Sequence, residues 1–114
     1  RAQEDAKETG ASIALVTDPL AAAKDADILV TDTWASMGQE AEHEGRKKIF
    51  APYQINGDLL AAADKRAIVM HCLPAYRGEE ITDDVLEKFS DVIFDEAENR
   101  LHTQKAIMAL LMAD

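Results

Sequence analysis

Apolar residues in this chain fall into short continuous blocks separated by stretches with helical spacing. The blocks are Ser12-Ile13-Ala14-Leu15-Val16-Thr17, Asp27-Ile28-Leu29-Val30-Thr31-Asp32, the run over 67–72, and Val92-Ile93-Phe94-Asp95. Runs of this length, bounded by turn residues, predict strands buried on both faces. Between them the spacing predicts helices over 19–26, 39–50, 57–63, 82–90 and 98–112. Pro19 suits a first helical position with Asp18 as its N-cap, and Thr82 stands where a cap is needed. The opening RAQEDAKETG reads as a surface helix stopped by Gly10. Strands alternating with helices predict a doubly wound, Rossmann-like α/β unit. Its parallel sheet has about four strands joined by right-handed crossovers.

The last helix changes this picture. Over 106–113 it is apolar on nearly every side, more than one sheet face needs. It is either deeply buried or short of a partner. Arg1 is not an initiator methionine, and together these features predict a segment of a longer polypeptide. No repeat or linker divides the 114 residues, which are read as one unit.

Charge and cysteine usage narrow the function. The formal charge of −10 sets the surface against nucleic acid and anionic membranes. No apolar run approaches the roughly 20 residues that span a bilayer. A single cysteine allows no internal disulfide, and no CxxC or Cys/His cluster points to a metal. A reducing, cytoplasmic setting is expected.

In a doubly wound sheet, ligands gather outside the carboxyl ends of the strands. Those ends carry Asp32, His71-Cys72, and the stretch Asp95-Glu96 leading to Asn99-Arg100. If the strands are neighbours, an acid, a thiol and a guanidinium share one rim. Each has a plainer reading too: Cys72 as a small apolar filler, Asp32 as a turn cap. Arg100, placed in the first turn of the last predicted helix, opposes the helix dipole, which favours a role with an anion. His43 and His102 sit among charged helical residues and are read as structural or solvated. His43-Glu44 lacks the second histidine of a zinc HExxH site. Glu40, Glu42 and Glu44 read as a wet helix face. The loop Thr33-Trp34-Ala35-Ser36-Met37-Gly38 offers a hydroxyl, a glycine and backbone N–H groups. It forms either a pocket for an amino acid's carboxylate or an ordered turn under Trp34. Phosphate-binding glycine loops and the GxSxG elbow are absent from the sequence.

Three stretches in order, DTWASMGQE at 32–40, HCLPA at 71–75 and DEAENRLHT at 95–103, resemble the ornithine carbamoyltransferase family. The resemblance covers essentially the whole chain, as the C-terminal part of the ornithine-binding domain within a larger two-domain transcarbamoylase. It implies transfer of the carbamoyl group of carbamoyl phosphate to the δ-amino group of L-ornithine, giving L-citrulline and phosphate in arginine biosynthesis or the urea cycle. By the same resemblance, Asp32, Ser36 and Met37 match ornithine-binding positions, and Asp32 and Cys72 stand by the reacting amine. Cys72, Leu73 and Arg100 match carbamoyl phosphate ligands. The resemblance implies a homotrimer with shared sites and no cofactor or metal. The family's Ser-Thr-Arg-Thr-type loop and His-Pro-x-Gln stretch have no counterpart here, so the segment alone is expected to be inactive.

Two other classes stay in view. The stretch from Ile68 to Leu86, with Arg77-Gly78, loosely resembles the nucleotide-binding half of a hydroxyacid dehydrogenase, though without its glycine fingerprint. A response-regulator-like domain holding Mg²⁺ on Asp18, Asp32 and Asp95 leaves Cys72 and Arg100 idle.

Overall fold

The computed structural model describes residues 1–35 and 42–113. Helix α1 (Ala2–Thr9) ends at Gly10, whose φ of 75° gives the left-handed C-cap expected of it. Helix α2 (Pro19–Ala23) is capped by Asp18, which accepts the Leu20 N–H at 3.0 Å. Strand β1 (Ile28–Thr31) follows. Helix α3 (His43–Phe50) runs into a 3₁₀ turn (Ala51–Tyr53), and α4 (Gly57–Ala62) is capped by Asn56. Strand β2 (Ile68–His71), α5 (Asp83–Lys88) and the long α6 (Ser90–Met112) complete the chain.

Among the described residues the sheet has two strands, β1 and β2, paired in parallel with Leu29 opposite Val69 and Thr31 opposite His71. The expected parallel α/β arrangement is present, but two of the four expected strands are not. Residues 12–17 form no strand; Ile13, Leu15 and Val16 are exposed, because no neighbouring strand covers them among the described residues. Residues 92–95 belong to α6, where Ile93 is fully buried and Phe94 exposed. A run of three apolar residues fits one face of a helix as well as a strand, and here packing against β2 selects the helix.

The core lies on one face of the β1–β2 pair. Leu29 and Val69 meet Ile55, Leu59, Ile81, Val85 and Ile93 from the surrounding helices and loops. Ile55 and Ile81 also pair as an isolated bridge, with the Ile55 N–H donating to the Glu80 carbonyl at 2.9 Å. The other face of β1 is open, with Val30 67% exposed. At the end of α6, Ile107, Met108, Leu110, Leu111 and Met112 are exposed, so of the two readings of this helix the structure takes the one lacking a partner. Among the described residues no helix is long and apolar enough to cross a membrane.

Candidate active site

The parallel register decides where the functional side chains emerge. Thr31 lies opposite His71, so the next residues, Asp32 and Cys72, leave the sheet side by side. Side chains alternate along a strand. Val69 and His71 point into the core and are fully buried, whereas Cys72 is half-buried at the rim.

The Cys72 Sγ–H donates to Asp32 Oδ1 at 3.4 Å. Asp32 Oδ1 also accepts the Thr33 backbone N–H at 2.7 Å, so the carboxylate caps its turn and faces the thiol at once. From α6, Arg100 Nη1 donates to the Cys72 carbonyl at 3.3 Å. The acid, the thiol and the guanidinium therefore converge on one lip, with Asp32 and Arg100 exposed. One expectation about Arg100 changes. The helix begins at Ser90, not near 98, so Arg100 sits mid-helix and not in a first turn. The dipole argument falls away, and what identifies the guanidinium is its place beside Cys72.

Burial is the largest influence on the Cys72 thiol and pushes its pKa up. The hydrogen bond to Asp32 and the charge of that carboxylate push the same way, Arg100 opposes, and Glu96 adds a little. The group is thus held as a neutral thiol at physiological pH, a donor and not a thiolate nucleophile.

Leu73, next in the chain, has a φ of 54°, unusual for a residue with a branched side chain. Its N–H donates to His71 Nδ1 at 2.9 Å. Ser36, Met37 and Gly38 lie outside the described residues. The flanks of their loop are described: Trp34 stacks on Phe50 with centroids 6.3 Å apart, and Arg46 Nη1 donates to the Trp34 carbonyl at 3.3 Å.

Asp32, His71 and Cys72 also bring potential metal-ligand atoms within 4.8 Å of one another. The donor set suits a metal poorly. Both ring nitrogens of His71 are engaged, Nδ1 by Leu73 and Nε2 by Glu80. A metal bond would have to displace one of them.

No role for His71, Glu79 or Glu80 follows from the sequence alone. Two adjacent acids in a loop carry no sign of which one is buried. Glu80 is fully buried against His71, while Glu79 accepts from His43 Nε2 at 3.1 Å and Lys47 Nζ at 3.2 Å. His43, edge-on to Tyr76 with centroids 5.7 Å apart, is structural as expected; His102 faces Glu98 on the α6 surface. Glu42 and Glu44 are exposed, while Glu40 lies outside the described residues. Arg77 pairs with Asp83 and with Glu87 at 2.6 Å, and Gly78 turns at φ 84°. The Arg77-Gly78 pair that suggested a dehydrogenase lies in the loop between β2 and α5 and is tied to α5 by these ion pairs.

Residues 1–111 match the family described as aspartate/ornithine carbamoyltransferase, Asp/Orn binding domain. The ornithine carbamoyltransferase of Thermococcus kodakarensis is 59% identical over 111 residues, which cover 97% of this chain and 35% of that protein. The crystal structure of anabolic ornithine carbamoyltransferase from Campylobacter jejuni superposes with a TM-score of 0.90 at 46% identity, over 96% of this chain and 36% of that one. The Pyrococcus furiosus ornithine carbamoyltransferase gives 0.84 at 57% identity, over 94% and 34%. The chain thus spans about a third of the length of these relatives. None of these comparisons supports the dehydrogenase reading. By sequence and by fold, the chain belongs to the aspartate/ornithine carbamoyltransferase family.

Proposed function

We propose that the chain is the C-terminal part of the ornithine-binding domain of a two-domain, doubly wound transcarbamoylase. The polypeptide that carries it transfers a carbamoyl group from carbamoyl phosphate to the δ-amino group of L-ornithine, forming L-citrulline and phosphate. The observation that carries the reading is the convergence of Asp32, Cys72 and Arg100 on one rim. Its family membership and its relatives' names support the same reaction.

The chemistry asks for such a rim. An alkylamine with a pKa near 10.4 is mostly protonated at neutral pH, and only the neutral amine attacks. The ammonium first gives up one proton to solvent; Asp32 then accepts a hydrogen bond from the neutral amine and orients it toward the carbamoyl carbon. The amine nitrogen then bonds to the carbamoyl carbon, the carbon–oxygen bond to phosphate breaks, and phosphate leaves with the electron pair. The amine's surplus proton passes to solvent or to the leaving phosphate. Every atom and electron is accounted for without a cofactor. Cys72, neutral and donating to Asp32, orients the carboxylate and forms no covalent intermediate. Arg100 supplies a fixed cation where charge grows on the carbamoyl oxygen and phosphate, with Leu73 beside it at the carbamoyl group. Ser36 and Met37 belong to the ornithine-binding loop in this reading. The enzyme acts in the cytoplasm as a homo-oligomer, the family's trimer.

A citrulline assay on the full-length polypeptide, with ornithine and carbamoyl phosphate as substrates, tests the reading. Turnover that falls by about 10²-fold or more on Asp32→Asn supports it. A full-length protein that binds neither substrate overturns it.

A further inference from the structure

The inner side of the same loop carries a pair that the carbamoyl-transfer reading leaves unused. His71 and Glu80 are both 0% exposed. His71 Nδ1 accepts the Leu73 N–H at 2.9 Å, so the ring proton sits on Nε2, which donates to Glu80 Oε1 at 3.1 Å. The same Oε1 accepts the Tyr76 N–H at 2.6 Å. Glu80 is itself fixed through its backbone, because its carbonyl accepts from Ile55 and the neighbouring Ile81 pairs with Ile55. A line of hydrogen bonds thus runs from the core, through a carboxylate and an imidazole, to one backbone amide.

That amide belongs to Leu73, the residue in the left-handed region at φ 54°. A side chain with a Cβ disfavours that conformation, which persists only where surrounding contacts over-determine it. Just before it, Cys72 makes both contacts that assemble the rim, its thiol with Asp32 and its carbonyl with Arg100. An apolar pair would fill the same volume without specifying the turn.

We propose that His71 and Glu80 are positioning residues for this site. By holding the Leu73 amide they set the Cys72–Leu73 turn, and so fix where the thiol meets Asp32 and where Arg100 docks. The activity readout rests on the carbamoyl-transfer reading; the geometric readout does not.

The test uses the full-length polypeptide and two measurements. One is citrulline formation, resolved into kcat and the KM for ornithine. The other is the pH profile of Cys72 alkylation by iodoacetamide, followed on the Cys72 peptide by mass spectrometry. His71→Gln keeps a donor for Glu80 but removes the acceptor for Leu73. It is expected to lower kcat by about 100-fold, the scale of a misplaced reacting geometry, with little change in KM. The alkylation profile moves to lower pH as the thiol parts from Asp32. His71→Asn, whose amide oxygen stands near the Nδ1 position, restores both readouts toward wild type. Glu80→Gln keeps both acceptor bonds and stays close to wild type, whereas Glu80→Met behaves like His71→Gln; this second pair decides the matter if His71→Gln does not fold. Equal behaviour of the Gln and Asn variants of His71 in both readouts, or equal loss in the Gln and Met variants of Glu80, overturns the proposal. If wild type makes no citrulline, the functional reading fails, while the alkylation profiles still decide the positioning role.

Discussion

Cys72 Sγ lies 3.4 Å from Asp32 Oδ1 although the two residues are 40 positions apart in the chain. Parallel pairing of β1 with β2 places them there, since each is the first residue beyond a matched strand end. The pairing has a measurable consequence. Burial keeps the thiol pKa high, and the hydrogen bond to Asp32 and its negative charge raise it further. Asp32→Asn removes the charge and weakens the hydrogen bond, so the pH at which Cys72 becomes reactive toward iodoacetamide is expected to fall. An unchanged or higher midpoint would place the carboxylate elsewhere in solution.

Isolated residues 1–114 are expected to form no citrulline from ornithine and carbamoyl phosphate, whereas the full-length polypeptide does. The segment spans about a third of its relatives and carries no phosphate-binding glycine loop. A sensitive colorimetric assay checks this, and citrulline formation by the isolated segment would refute it.

Ile93 is the fully buried residue of α6 in the core it shares with Val69 and Val85. Ile93→Ala is expected to cost about 2–5 kcal/mol, the transfer and cavity cost of a large buried aliphatic side chain. Because α6 also carries Arg100, the substitution should loosen the rim as well as the core. Urea denaturation measures the first effect. A loss below about 0.5 kcal/mol, the range of ordinary surface substitutions, would mean that α6 is not packed as described.

Glu79 gives a pH-dependent contribution to stability. Burial, the largest single influence, raises its pKa, but hydrogen bonds and charge from His43 and Lys47 together outweigh it, so the carboxyl stays below its ordinary value. A pKa depressed on folding gives stability that is fully present above the unfolded value near 4.3 and is lost as pH falls through the lower, folded value. Glu79→Gln is therefore expected to be less stable than wild type at pH 7 by about 1 kcal/mol. The gap should close as pH falls through that lower, folded value. Urea melts across that range check the sign; a gap that widens in acid contradicts it.

The end of α6 leaves Leu110 81% and Leu111 80% exposed beside Ile107, Met108 and Met112. The isolated segment is expected to self-associate through this surface, and Leu110→Glu with Leu111→Glu to reduce association without unfolding the core. Sedimentation velocity across a range of concentrations distinguishes the two proteins; identical profiles would show that this face is not the one in contact.

The sequence by itself determined what local rules can reach. Gly10 ends α1, Asp18 caps α2, and the apolar runs ending in Asp32 and Cys72 become strands, because caps and short periodicities act within a few residues. It also supplied the acid, thiol and guanidinium that the structure brings to one rim. Tertiary structure decided the rest, since those outcomes depend on partners distant in the chain. The run at 12–17 finds no strand to pair with among the described residues, and 92–95 turns helical because Ile93 packs against the sheet as one stripe of α6. Of two adjacent acids, Glu80 is buried and Glu79 meets His43, a choice made by the position of Ile55 and by the inward face of β2 that His71 occupies. Periodicity marks which residues share a face; only the packed neighbours determine what that face meets.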